Sequence, residues 1–210
     1  LSIRFIIFAS LAKGKSKAYK ILKSEDVISA LNCIKKLGIK AKFKQNYCEI
    51  IGKGLNGYNY SNNLTLDAGN SGTTARLIGA ACINSPNFIR ITGDASLKKR
   101  DMERIIKPLK KFGVEIKKNK GTLPICLKSS GNLKPINYVE NLGSAQVKSA
   151  ILISALISSA KVSKLKCKPS RNHTELLLKH LKIPIKIKNK KKFHFINIRG
   201  KKNFIGFNYE

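Results

Sequence analysis

Residues 36–42, Lys-Leu-Gly-Ile-Lys-Ala-Lys, recur as residues 111–117, Lys-Phe-Gly-Val-Glu-Ile-Lys, and more faintly as residues 180–186, His-Leu-Lys-Ile-Pro-Ile-Lys. In each copy an amphipathic helix stops and a strand begins at once. Gly38 and Gly113 stand at the first two junctions, where glycine readily takes the left-handed backbone conformation that ends a helix. Three copies of one junction predict a domain with pseudo-threefold symmetry.

Hydrophobic periodicity extends each copy into the order helix, strand, helix, strand, strand. The first copy is predicted as helix 4–12, strand 16–22, helix 25–37 and strands 39–44 and 46–51. The second is helix 73–83, strand 87–92, helix 101–112 and strands 114–118 and 122–128. The third is helix 144–158, strand 160–166, helix 172–181 and strands 183–188 and 192–198. The repeats span about 1–55, 64–130 and 135–200 and predict one α/β domain over residues 1–210.

The two helices of each copy differ in their distribution of apolar residues. Residues 6–11 and 151–157 are apolar nearly all round, as in a helix enclosed by other elements. Residues 24–37 and 101–112 instead carry one apolar stripe and one charged face. We therefore expect the first helices inside the domain, with their N-termini meeting at one end.

Four short polar stretches are placed where a strand passes into a helix. Helix N-termini carry unpaired N–H groups and a partial positive charge, so Gly, Ser, Thr and Arg gathered there suit phosphate and carboxylate ligands. These stretches predict a site for anions. They are Gly-Asn-Ser-Gly-Thr-Thr-Ala-Arg at 69–76, Gly-Asp-Ala-Ser-Leu-Lys-Lys-Arg at 93–100, Gly-Ser-Ala-Gln-Val-Lys-Ser at 143–149 and Ser-Arg-Asn-His-Thr-Glu at 170–175.

Composition limits the function classes. The chain of 210 residues is 42% hydrophobic and has a formal net charge of +31. A nucleic-acid partner is not expected, because the basic residues are mostly scattered lysines without interleaved aromatics. Five widely spaced cysteines predict neither disulfides nor a metal site, and they favour reduced, mostly buried thiols and a cytoplasmic location. The first twelve residues are predicted as a buried helix rather than a signal peptide, and no apolar run approaches the ~20 residues of a membrane span.

At the four polar stretches the chain resembles the enolpyruvyl transferases, specifically the branch that acts on shikimate 3-phosphate. The motifs occur in family order, and the resemblance runs from Ser2 to about Tyr209. It implies an inside-out, barrel-like domain of three βαβαββ units, with helices inside and sheets outside. Family members have two such domains and are about twice as long, so we expect residues 1–210 to be the first domain, without the second.

The resemblance also implies the reaction, in which the enolpyruvyl group of phosphoenolpyruvate is transferred to the 5-hydroxyl of shikimate 3-phosphate and phosphate is released. The expected partners are these two small anions, the full-length form is expected to be a monomer, and no cofactor or metal is implied. The resemblance places acid and base groups in the second domain. We therefore assign no catalytic residue in this segment, give His173 no chemistry, and expect the segment alone to be inactive.

Binding residues are carried over by motif. The resemblance assigns phosphoenolpyruvate to Gly72, Arg100, Gln146, Asn70 and Thr73. It assigns shikimate 3-phosphate to Arg4, Ser144, Ala145, Gln146 and Arg171.

The sequence departs from the family pattern at two places. Ile3 stands where Asn or His is usual, and Asp101 follows Arg100 where Pro is usual. We expect Asp101 to cap the next helix, and its carboxylate could compete with the substrate for Arg100.

Three alternatives remain open. The sister transferase acting on UDP-N-acetylglucosamine shares the chemistry, but it places a reactive Cys near its phosphoenolpyruvate-binding Arg, and residues 93–100 contain none. A basic protein of the same fold that binds RNA or another polyanion is a second alternative. A truncated gene is the third.

Overall fold

A computed structural model describes residues 1–45 and 47–209 of the chain. The α-helices are α1 Ser2–Leu11, α2 Glu25–Lys36, α3 Gly72–Ala81, α4 Ala95–Lys98, α5 Glu103–Phe112, α6 Ala145–Ser158 and α7 His173–His180. The strands are β1 Lys13–Ala18, β2 Lys40–Lys44, β3 Tyr47–Lys53, β4 Thr65–Asp67, β5 Ile89–Thr92, β6 Val114–Asn119, β7 Thr122–Ser129, β8 Asn137–Glu140, β9 Val162–Cys167, β10 Ile185–Asn189, β11 His194–Arg199 and β12 Asn208–Tyr209.

The strands form three four-stranded sheets of the same design, in the orders β12-β1-β3-β2, β4-β5-β7-β6 and β8-β9-β11-β10. In each sheet the first pair is parallel and the other two pairs are antiparallel. The predicted α/β class is confirmed. Over the residues described, the sheets stay separate and do not join into a closed barrel.

Helices α1, α3 and α6 form the centre of the domain, as predicted. All residues from Phe5 to Leu11 of α1 are buried, and so is every residue of α6 except Gln146. Ser71 and Ser144 cap the N-termini of α3 and α6, since their hydroxyls accept the N–H groups of Thr74 and Val147. Burial of this large apolar surface supplies the main driving force for folding.

The sequence prediction missed four short elements. Strands β4, β8 and β12 are two to four residues long and each adds to one sheet edge. The first sheet takes its outer strand from the far end of the chain, where Asn208 and Tyr209 pair with Lys17 and Ala18. The fourth missed element, α4, begins where the Asp94 carboxylate accepts the N–H of Leu97.

Several boundaries also differ from the prediction. The first strand was expected at 16–22 and lies at Lys13–Ala18. Helix α5 begins at Glu103 rather than 101, and its N-cap position is Met102 rather than the expected Asp101. The Asp101 carboxylate accepts the N–H of Glu103 from one residue further out. The predicted strand at 46–51 corresponds to β3, and its first residue, Asn46, lies outside the described residues.

Two further observations bear on the predictions made from composition. All five cysteines are free thiols, and four of them are buried. Within residues 1–45 and 47–209, none of the helices combines the length and the apolarity needed to cross a bilayer.

The three helix-to-strand junctions share one backbone conformation. Gly38 and Gly113 have φ of 78° and 98°, which confirms the left-handed conformation predicted for them. Lys182, at the third junction, has φ of 54° although it carries a side chain. The N–H groups of Ile39 and Ile183 bond to the carbonyls of Ile34 and Leu178, so the first and third helices end alike.

Replacing Lys182 by Gly is expected to raise the free energy of unfolding by about 0.5–1 kcal/mol. The side chain is strained in the left-handed region, and removing it outweighs the added chain entropy of glycine. Urea denaturation measures the effect. The matched control is Lys179→Gly within α7, which is expected to cost about 1 kcal/mol. A loss of stability in Lys182→Gly would contradict this explanation.

Candidate anion-binding site

The N-termini of the inner helices meet at one end of the domain, around a cleft of about 260 Å³. Arg4 of α1, Thr73 of α3 and Gln146 of α6 line this cleft together with Arg171, which precedes α7. Four of the residues predicted from sequence are thereby brought together. Ser144 and Ala145 adjoin Gln146 but have other contacts: the Ser144 hydroxyl caps α6, and Ala145 is buried.

Arg4 is held in the cleft by two hydroxyl groups. Its Nε donates to Thr174 Oγ1 at 2.9 Å, and its Nη2 donates to Ser149 Oγ at 3.1 Å. Burial, followed by repulsion from the charge of Arg171, lowers the pKa of Arg4. Burial and the same two arginines also lower the pKa of His173. The cleft is lined by these two arginines and by one carboxylate, that of Asp26, so an excess of positive charge remains that an anion would neutralise.

Gln146 connects α6 to α3. Its Nε2 donates to Thr73 Oγ1 at 2.8 Å, and its Oε1 accepts from Arg76 Nη1 at 2.8 Å. Arg76 also donates to the carbonyls of Gly72 and Asp101, at 3.1 and 2.9 Å. Arg76 is the last residue of the polar stretch 69–76, but the sequence predicts no role for it.

Arg100 belongs to a second cluster beside the cleft. Its Nη2 donates to Asn70 Oδ1 at 2.7 Å, and the Asn70 amide donates to Asp94 Oδ2 at 2.6 Å. Gly72 lies against this cluster: a Cβ there would stand 2.7 Å from Arg76 Nη1 and 3.4 Å from Arg100 Nη1. A side chain at residue 72 would therefore displace the guanidinium group of Arg76, whereas the approach to Arg100 is an ordinary contact.

Asp101 does not take Arg100 as its partner in the contacts observed. Its carboxylate accepts the N–H of Glu103 at 2.7 Å and pairs with Arg104 at 3.1 Å. The expected competition with the substrate for Arg100 is therefore not seen in this arrangement. The departure from Pro at this position leaves the helix start intact.

Buried charges that the sequence analysis did not identify brace the loops of the site. Lys148 Nζ lies 2.6 Å from Glu175 Oε1, with both side chains almost fully buried, and it also donates to the Ser170 carbonyl. The Glu140 carboxylate accepts three successive N–H groups just before α6, those of Leu142, Gly143 and Ser144. Two features of the sequence could have identified these charges: a lysine, Lys148, inside an apolar helix, and an acidic residue, Glu140, shortly before a Gly-Ser turn.

Known proteins of one family resemble this chain in sequence. The family model described as EPSP synthase (3-phosphoshikimate 1-carboxyvinyltransferase) matches residues 1–210. The chain is 41% identical over 181 residues to the 3-phosphoshikimate 1-carboxyvinyltransferase of Streptococcus mutans, covering 85% of this chain and 42% of that protein. The corresponding protein of Streptococcus pyogenes is 39% identical over 180 residues, with the same coverage.

The fold gives the same result. A solved structure of EPSP synthase from Acinetobacter baumannii superimposes with a TM-score of 0.89 and 32% sequence identity, covering 99% of this chain and 46% of that one. This chain thus spans less than half the length of the relatives it matches. On sequence and on fold, the chain belongs to the EPSP synthase (3-phosphoshikimate 1-carboxyvinyltransferase) family.

Proposed function

We propose that this chain binds shikimate 3-phosphate in the cleft between Arg4, Arg171, Thr73 and Gln146. The observation that carries the proposal is the placing of two arginines, Arg4 and Arg171, in one cleft where the N-termini of three inner helices meet. A phosphate group supplies the negative charge and the acceptor oxygens that these donors lack. Ser144 and Ala145 contribute by presenting the first turn of α6 to the ligand.

Phosphoenolpyruvate is proposed to bind beside it, against Gly72 and Arg100, with Asn70, Thr73 and Gln146 shaping the pocket. Asn70 already fixes one nitrogen of the Arg100 guanidinium. Gln146 and Thr73 are joined to each other, so they can serve both anions. Two substrates held in this way are brought into contact despite their like charges, which is a large part of the catalytic task.

The reaction proposed for the full-length relatives of this chain is the transfer of the enolpyruvyl group. The 5-hydroxyl of shikimate 3-phosphate adds to the central carbon of phosphoenolpyruvate, a proton is delivered to its methylene carbon, and the tetrahedral adduct expels phosphate. We propose that residues 1–210 act as the first of two domains. A second domain would supply the acid and the base, and closure of the two would exclude water. Binding without turnover is the result expected of this chain alone.

Thermal unfolding with and without ligand tests the proposal. Shikimate 3-phosphate at 100 times its Kd is expected to stabilise the chain by about 2.7 kcal/mol. Shikimate, which lacks the phosphate, is expected to give no measurable shift at the same concentration. Equal shifts from shikimate 3-phosphate and from inorganic phosphate would show that the shikimate ring is not recognised. Tight retention of RNA without any shift from shikimate 3-phosphate would favour the polyanion-binding alternative.

A further inference from the structure

Only three side chains on α3 and α6 escape full burial, and they bond to one another in a row. They are Thr73 and Arg76 of α3 and Gln146 of α6, while the remaining residues of both helices are buried. Arg76 donates to Gln146, and Gln146 donates to Thr73. A polar chain between two packed helices therefore leads from a guanidinium group to the cleft.

Arg76 fixes the orientation of the Gln146 amide. The two ends of an amide are similar in shape, and their assignment must follow from the hydrogen-bond partners. A guanidinium group can only donate, so the group that faces Arg76 must be the carbonyl oxygen, Oε1. Nε2 is then turned toward Thr73 Oγ1, and one hydrogen of Nε2 remains for a ligand. Thr73 Oγ1 accepts from Gln146 through a lone pair, so this bond does not use the hydroxyl hydrogen of Thr73, which can be donated to a ligand.

The guanidinium group of Arg76 is itself held from two further sides. It donates to the carbonyl of Gly72 at the start of its own helix and to the carbonyl of Asp101 next to Arg100. Residue 72 has no side chain, and this leaves room for Nη1. With three acceptors in fixed positions, Arg76 has one arrangement in which all of these bonds form.

We propose that Arg76 is a positioning residue that turns the N–H of Gln146 and the O–H of Thr73 toward the cleft as donors for an anion. The identity of that anion rests on the proposed function, whereas the orienting effect does not. Without Arg76 the amide can rotate and present its oxygen to the ligand. An oxygen in that position repels phosphate.

The sequence offers a direct way to observe this effect. It contains only two glutamines, Gln146 and the exposed Gln45, so labelling the glutamine side chains with ¹⁵N gives two NH₂ groups in the NMR spectrum. In the parent protein, the Gln146 N–H bonded to Thr73 is expected to exchange with water at least about tenfold more slowly than the N–H groups of Gln45. Arg76→Met is expected to abolish this difference and to move the Gln146 signals, with Gln45 unchanged.

A matched charge control separates orientation from general electrostatics. Arg104 is an exposed arginine whose charge is felt at Arg76, and it has no bond to Gln146. Arg104→Met should leave both glutamine signals unchanged. Arg76→Lys keeps the charge but cannot make all three bonds, so it should show an intermediate exchange rate. This variant also serves if Arg76→Met does not fold. Unchanged Gln146 signals in a folded Arg76 variant would overturn the proposal.

Binding supplies the second measurement. Titration calorimetry with shikimate 3-phosphate is expected to give a Kd roughly tenfold higher for Arg76→Met than for the parent protein, and a change below about twofold for Arg104→Met. If Gln146 reorients and the affinity stays the same, the proposal is wrong. If the parent protein does not bind shikimate 3-phosphate, the proposed function fails, and the NMR comparison still decides the role of Arg76.

Discussion

Replacing Lys148 by Met is expected to lower the free energy of unfolding by about 3–5 kcal/mol. The ammonium group of Lys148 is fully buried and lies 2.6 Å from the buried carboxylate of Glu175. Methionine fills a similar volume, but it leaves that carboxylate without its cation. The loss is a large fraction of the 5–15 kcal/mol that stabilises a typical domain. Urea denaturation followed by circular dichroism measures it.

Two further variants identify the cause of this loss. The double variant Lys148→Met/Glu175→Leu removes both charges and is expected to recover most of the stability, because no buried charge remains unpaired. Lys161→Met removes a lysine from an exposed position and is expected to change the unfolding free energy by less than about 0.5 kcal/mol. If Lys148→Met unfolds at the same urea concentration as the parent protein, the ion pair is not a structural brace.

Replacing Arg4 by Met is expected to raise the Kd for shikimate 3-phosphate by about a hundredfold, within the range for loss of a hydrogen-bonded charge pair. Two hydroxyl groups hold the guanidinium group of Arg4 at the cleft, so little order has to be gained on binding. Titration calorimetry at 0.15 M salt measures the change. Arg4→Lys keeps the charge without the planar fork, and an effect near tenfold is expected.

In Arg4→Met the free energy of unfolding is not expected to fall together with the affinity for shikimate 3-phosphate. Ser149 Oγ and Thr174 Oγ1 lie 2.7 Å apart and bond to each other, so removing Arg4 leaves neither hydroxyl unpaired. The repulsion between Arg4 and Arg171 is also relieved.

Arg90→Met is the charge control for the affinity measurement. Arg90 lies on the exposed side of β5, so this variant removes the same charge from the outer face and should change the Kd by less than about twofold. A similar loss of affinity in both variants would show that net charge, rather than a defined site, binds the ligand.

Local signals were sufficient to predict the central part of the fold. Helix α6 was predicted to within one residue because Ser144 caps it and a long apolar run follows. The left-handed conformation of Gly38 and Gly113 followed from residue type and position. The strands β4, β8 and β12 were missed because two to four residues carry too little pattern, and their place depends on the neighbouring strand.

The candidate site was likewise predictable only where local motifs mark it. The motifs pointed to Arg4, Thr73, Gln146 and Arg171, and these residues do line one cleft. The role of Arg76 could not be predicted, because its bond to Gln146 joins residues that are 70 positions apart in the chain. The partner of a side chain over such a separation is set by packing and is not visible in local sequence.

Because β12 pairs with β1, a strand from the far end of the chain completes the first sheet. Phe207 donates its N–H to Ser16 Oγ across 191 residues of sequence. During synthesis the first sheet therefore keeps an exposed edge at β1 until nearly all of this segment has left the ribosome. Closing so long a loop is slow compared with forming the local hairpins. The repeat made first is thus finished last, and loss of β12 would expose the edge of β1 in the sheet formed by the first fifty residues.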